Sequence, residues 1–293
     1  MFYRRKIILS LIQLFNGDID KIKFQKLLFI YSQRKQKSEY DFVPYKFGCY
    51  SYSANADLKT MVKRELLSET ENRLFKMDTT NYLNSIKITD KDILTDISLT
   101  YGNMSNDTLI KHSYINFPFY AIKSTIAKKI LNKDIYQRIQ NSIPTQTSQK
   151  LFTIGYEGIS IENYLNRLIK NNIKLLVDVR KNPLSQKYGF SKTTLKRCCE
   201  NLDIQYIHIP EVGIMSNQRQ SLETQSDYDK LFEKYRMTTL RETTSNQSEI
   251  LKLLDKFNRI ALTCFEANIH QCHRFHLSEA LKTQKIDLLV EHI

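Results

Sequence analysis

A chain of 293 residues that is 41% hydrophobic and 11% aromatic carries enough apolar mass for two cores of about 150 residues each, so a two-domain globular protein is expected. Its formal net charge of +13 and pI near 9.3 point to a polyanionic partner, nucleic acid (DNA first) or a phosphorylated nucleotide, against the plainer alternative of a solvated lysine-rich surface. Five scattered cysteines exclude a disulfide framework and suit a reducing cytoplasm. No run approaches the ~18 apolar residues of a membrane span, and the basic-then-apolar start lacks a small-residue cleavage site, so neither a membrane partner nor a signal peptide is expected.

In chain order, Ile7, Ile8, Leu11, Ile12 and Phe15 recur at helix spacing and stop at Asn16-Gly17. A second helix is predicted over 19–33, with Ile22, Phe24, Leu27, Leu28 and Tyr31 on its apolar face between lysines. Residues 40–52 pack aromatic side chains around a proline and a glycine and read as a short hairpin or ordered loop; a helix over 54–64 follows. Helix, helix, aromatic turn, helix is the order of a winged-helix-like module, and residues 1–75 hold 14 Lys+Arg against 8 Asp+Glu. Contact with DNA is one reading of this segment, and a protein-interaction module is the other.

The same segment resembles the Panacea family through Phe24-Gln25-Lys26-Leu27-Leu28, Tyr45-Lys46-Phe47-Gly48 and Asp57-Leu58-Lys59, which implies a link to toxin neutralisation. Residues 76–145 are polar, with short helical patterns such as 121–131, and are predicted to be a helical connector ending in a linker over 142–148. The expected division is therefore 1–145, mostly α-helical and winged-helix-like with its connector, and 146–293, an α/β domain.

From Leu151 onward short β-rich runs alternate with amphipathic helices. Strands are predicted over 151–154, 173–179, 204–209, 259–264 and 286–290, with helices over 161–170, 192–201, 228–240, 249–257 and 272–281. Such alternation predicts a mainly parallel, Rossmann-like sheet flanked by helices, and the apolar run Leu175-Leu176-Val177 suits a strand buried on both faces.

Ligands of such sheets bind beyond the carboxyl ends of the strands. Those ends are polar here: Tyr156 and Glu157 after the first, Asp178, Arg180 and Asn182 after the second, Tyr206 and His208 in the third, Cys264 and Glu266 after the fourth, then Cys272, His273 and Arg274 entering a helix. Taken singly, each has a bland explanation as a cap, a small core residue or a bracing ion pair.

The ordered set Thr153-Ile-Gly-Tyr-Glu-Gly158, Asp178-Val-Arg180 with Asn182-Pro183 and Ser185, Phe190-Ser191-Lys192, Tyr206, Ile209-Pro210-Glu211, Cys264-Phe-Glu266, Cys272-His273-Arg274 and Val290-Glu-His292-Ile293 resembles domain-of-unknown-function family 488 across 151–293. One departure is Val212-Gly213-Ile214, where that family usually has a Leu-Gly-Gly-like turn. The resemblance defines a domain and leaves the chemistry to the residues.

Three chemistries are open. Arg274 and His273 at a helix start, with Arg180 oriented by Asp178, suit a phosphate or carboxylate, with Tyr156, Asn182, Tyr206, His208, Cys272 and His292 around it. Glu157 and Glu266 are candidate general acid and base, with Asp178 as nucleophile or stabiliser, for cleavage or transfer at an N-glycosidic bond. Thiol chemistry at Cys264, or at a Cys272 activated by Arg274 or the helix start, is the third, and Leu176-Val-Asp-Val-Arg180 is similar to sulfurtransferase strands. Cys264-x5-His270-x-Cys272-His273 offers a Cys2His2 set, but adjacent residues usually diverge, so no metal ligand and no cofactor are assigned. The enzymatic expectation is a nucleotide- or DNA-processing hydrolase or transferase in DNA repair or defence against foreign DNA. Its alternatives are a nucleotide sensor that does not turn over its ligand and an interaction protein that holds a partner through 1–75.

Overall fold

Runs of Ile and Leu at helix spacing near the start of the chain bury completely. Helix α1 (Tyr3–Gln13) and helix α2 (Lys21–Gln33) put Ile7, Ile8, Leu11, Phe24, Leu27 and Leu28 into one core. Between them strand β1 (Asp18–Asp20) ends on Asp20, whose carboxylate accepts hydrogen bonds from the backbone N–H groups of Ile22 and Lys23 and so caps α2. The aromatic segment forms a hairpin of β2 (Val43–Tyr45) and β3 (Gly48–Tyr50), followed by α3 (Tyr52–Lys63), with β4 (Leu67–Glu69) and β5 (Arg73–Lys76) completing a sheet of order β1-β5-β4.

The polar stretch expected to be a helical connector is helical, and it also joins the core of the first unit. It forms α4 (Ile88–Tyr101), α5 (Asn106–Asn116), the short α6 (Ala127–Ile130) and α7 (Lys133–Asn141), and Leu94, Ile97 and Leu109 enter the same core as α1 and α2. Ile93 and Tyr101 pack beside the buried Leu94 and Ile97 of α4, and Ile110 and Tyr114 of α5 are buried with Leu109, an apolar stripe within a polar composition. The computed structural model describes residues 1–215, 218 and 222–293 and divides into two units, Met1–Ile143 and Pro144–Ile293. Among the described residues no helix is long and apolar enough to cross a membrane.

The second unit is α/β. Strands β6 (Lys150–Gly155), β7 (Leu175–Asp178), β8 (Gln205–His208), β9 (Arg259–Cys264) and β10 (Val290–His292) form one parallel sheet in the order β10-β6-β9-β7-β8. Helices α8 (Ile161–Lys170), α9 (Lys192–Glu200), α10 (Gln225–Met237), α11 (Thr239–Glu242), α12 (Thr244–Phe257) and α13 (His273–Gln284) lie along the connections. The last strand is displaced from its predicted place: Ile286 and Leu289 are 92% and 60% exposed, and pairing begins only at Val290.

Strand alternation sorts the side chains between two faces. Leu175, Val177 and Val179 of β7 and its exit share a core with Ile260 and Leu262 of β9 and with Leu231, Ile250, Leu254, Leu277 and Leu281 of α10, α12 and α13. The intervening Leu176, Asp178 and Arg180 therefore point to the opposite face, as does Tyr206, register partner of Leu176. By the same parity Thr263 lies on the face of Tyr164, whose hydroxyl donates to it, and Cys264 on the face of α13. Gly155, at the end of β6, is needed for closeness: an added Cβ would stand 1.9 Å from the Glu266 carbonyl oxygen, so only glycine lets the exits of β6 and β9 touch.

Candidate active site at the strand ends

The exits of β6, β7 and β9 enclose a cavity of about 280 Å³ lined by Tyr156, Arg180, Lys181, Asn182, Leu184, Ser185, Gln186, Ile214, Cys264, Phe265 and His273. On the α8–α9 face its floor is a locked cation. Arg180 donates from Nε to Asp178 Oδ1 (2.8 Å) and from Nη2 to Oδ2 (2.5 Å), while Nη1 donates to the Tyr156 hydroxyl (2.9 Å) and the Phe190 carbonyl (2.8 Å). Tyr206 donates its hydroxyl to Asp178 Oδ2 at 2.6 Å, and the Arg180 backbone N–H donates to Oδ1. Burial works to lower the Arg180 pKa, but the hydrogen bonds and charge of Asp178 outweigh it and hold the guanidinium firmly protonated. Tyr156 stacks on Phe190 with ring centroids 4.2 Å apart, fixing its hydroxyl beside the guanidinium.

This arrangement corrects the role expected of Asp178. The residue is fully buried and both carboxylate oxygens are occupied, so it orients Arg180 and is no nucleophile. Burial, followed by the Asp178 charge, also pushes the Tyr206 hydroxyl well above its ordinary pKa, so Tyr206 stays a proton donor to that carboxylate.

On the α13 face three donors converge. Cys264 Sγ lies 3.1 Å from Glu266 Oε2, to which it donates, and 3.5 Å from His273 Nδ1. His273 Nε2 meets the Val179 carbonyl oxygen at 3.0 Å and, since a carbonyl only accepts, donates to it, which leaves Nδ1 facing Cys264. The ligand atoms of Cys264, Cys272 and His273 all lie within 4.8 Å of one another. The expectation that adjacent Cys272 and His273 diverge fails for a local reason: Cys272 is the extended residue before α13 (φ −132, ψ 134) and His273 its first helical residue, so the bend turns both side chains to the same point. His270 is exposed and outside this group.

Two other expectations are overturned. Cys272 is not an activated thiol: burial, then its contact with the Cys264 thiol, push its pKa well up. Arg274 is not an anion fork at a helix start either; its Nη1 donates to the Glu266 carbonyl at 2.5 Å and its Nη2 sits 3.4 Å from the Ala267 carbonyl, bracing the loop after β9, while its Nε is buried without a hydrogen-bond partner. The bracing has a use, because that loop carries Glu266.

The remaining candidates sit around the cavity. Glu157 is exposed and its carboxylate accepts from the Ala267 N–H at 2.9 Å, tying the β6 and β9 exits together. His208 meets the Arg180 carbonyl through Nε2 (2.8 Å) and Lys192 Nζ through Nδ1 (3.0 Å). His292 is on the edge strand, 2.7 Å from Thr153 Oγ1, and does not line the cavity. Of the lining, the sequence did not point to Lys181, Leu184 and Gln186 at all, and Ser185, Ile214 and Phe265 stood in its motifs without being assigned to the site. Lys181 and Gln186 lie between two motif positions, in a loop whose course no periodicity reports.

An α/β domain of the Rossmann-like class, with a polar cavity at the carboxyl ends of its strands, is thus defined. The family model described as Domain of unknown function DUF488 matches residues 160–281, within the C-terminal α/β unit. No curated protein matches the chain.

Proposed function

We propose that the C-terminal domain binds and chemically processes a phosphorylated nucleoside or a nucleotide unit of nucleic acid, as a hydrolase or transferase. The observation that carries this reading is the Asp178-locked Arg180 on one wall of a small cavity that has Cys264 and His273, with Glu266 adjacent, on the other. The paired guanidinium, engaged by Asp178, Tyr156 and Phe190, gives that wall a fixed shape, and exposed Lys181 and Asn182 at the rim are the groups that seat a substrate anion. Glu266, less than fully buried, is the candidate general acid or base. The charge of +13 supports a polyanionic substrate, with the N-terminal unit contacting DNA or a protein partner. The reading sets the protein in a reducing cytoplasm, in DNA repair or defence against foreign DNA.

Incubation of the purified chain with single- and double-stranded DNA, RNA and a nucleotide panel, read by mass spectrometry beside Glu266→Gln, tests the proposal. Product that forms with the wild type and disappears with the variant supports an enzyme and identifies its bond. Binding in both without product supports a sensor instead. A second reading, thiol chemistry, rests on the 3.5 Å Cys264–His273 contact. Alkylation of Cys264 at neutral pH, faster than that of Cys198 in the same chain, is its expected mark.

A further inference from the structure

We propose that Cys264, Cys272 and His273 bind a zinc ion whose fourth position opens into the cavity, so that the nucleotide-processing reaction proposed above is a zinc-assisted hydrolysis. The inference rests on that reading for its substrate and on independent geometry for its metal.

Four observations converge. First, the donors are two thiols and an imidazole, the set that borderline-soft zinc prefers, and all three are buried. Second, their spacing fits. A tetrahedral zinc with sulfur at about 2.3 Å and nitrogen at about 2.0–2.1 Å holds those two ligand atoms roughly 3.5 Å apart. Cys264 Sγ and His273 Nδ1 are 3.5 Å apart, and the cluster closes within 4.8 Å. Third, the imidazole is prepared: Nε2–H is held by the Val179 carbonyl, the outer hydrogen bond by which a ligating histidine is fixed in tautomer and orientation. Fourth, the site has one open side. Cys264 and His273 line the cavity whereas Cys272 does not, so two ligands face the substrate space and the third closes the back.

Glu266 stands beside this group and outside it: its carboxylate is 3.1 Å from Cys264 Sγ but is not among the three mutually close ligands. Three protein ligands with a carboxylate next to the open position is the arrangement of catalytic zinc sites in which bound water loses its proton to the carboxylate. Zinc held there would make its bound water acidic enough to give a proton to Glu266; attack of the hydroxide on the substrate's electrophilic atom would break that atom's bond to the leaving group, which would take the proton from Glu266. Lys181 and Asn182, at the cavity rim, hold the substrate's anionic part.

The test uses the full chain, reduced, stripped of metal by chelator and returned to zinc or cobalt(II) salt. Zinc retained through gel filtration at about one ion per chain, and zinc-edge absorption showing two sulfur ligands and a nitrogen, are the expected results. Cobalt should give intense sulfur-to-metal charge-transfer bands that Cys272→Ser halves and that Cys198→Ser leaves alone. Should Cys272→Ser fail to fold, the wild-type absorption spectrum still decides. Wild type that takes up neither metal, that binds it without sulfur, or that closes a Cys264–Cys272 disulfide instead overturns the site. The metal readouts need no substrate: zinc bound without nucleotide turnover sinks the functional proposal alone, and turnover by zinc-free protein sinks the zinc's part in the reaction alone.

Discussion

Asp178 and Arg180 are two residues apart on one side of one strand end, and the pair joins nearly the whole α8–α9 side of the cavity through Tyr156, Tyr206 and Phe190. Removing one member leaves a charge with no water to receive it. Asp178→Ala should therefore cost about 3–5 kcal/mol of stability, read in a urea titration, since Arg180 would remain buried and unpaired. A loss under 1 kcal/mol would mean that Arg180 reaches solvent and is not locked. The polar identity of this site was legible in the sequence because the motif residues end apolar strands. Their division of labour was not, because whether a carboxylate is a reagent or a brace depends on what occupies its oxygens. Arg274 teaches the same lesson, as a cation at a helix start that turns to two backbone carbonyls.

His276, on α13, shows how burial sets pH behaviour. Burial, then the nearby Arg236 charge, lower its pKa from 6.5 to about 4. Its neutral form is favoured in the folded state, so the unfolded chain binds more protons between those two values and stability falls as pH drops from about 6.5 to about 4. Denaturation midpoints measured across that window should decline, and His276→Gln should flatten part of the decline. An unchanged slope in the variant would assign the acid sensitivity elsewhere.

At the scale of elements, the closest approach is between the exits of β6 and β9, where Gly155 meets the Glu266 backbone. Gly155→Ala should cost roughly 1–3 kcal/mol by overpacking and displace Glu266 from Cys264, lowering activity more than stability alone explains. Unaltered turnover in that variant would show that the position of Glu266 does not matter. The parallel strands were readable because a strand covered on both faces is apolar at consecutive positions, as in Leu175–Val177. The fifth was misplaced because Ile286 and Leu289 imitate such a run while lying exposed. In the first unit, the place of α4 and α5 in the core escaped notice because their apolar stripe is set in a polar composition, and no local pattern reveals the core it joins.

The chain divides into Met1–Ile143 and Pro144–Ile293, and residues 145–148 at the start of the second unit are exposed. Each unit has its own buried cluster, so the fragment 144–293 expressed alone should unfold cooperatively in urea. A fragment that stays unfolded would show that the α/β unit depends on the first. The net charge of +13 predicts that any nucleic-acid binding weakens steeply between 50 and 200 mM salt, as counterion release requires.

The cavity's defining property is whether it performs chemistry on a nucleotide. Its most direct test is product-resolved mass spectrometry of the nucleotide and nucleic-acid panel with wild type and Glu266→Gln, with binding measured in parallel. The expected result is one product whose formation falls on the order of 100-fold or more in the variant, the usual share of a general acid or base, while binding is kept. Equal product from both proteins, or no product from any nucleotide or nucleic acid offered, would contradict it.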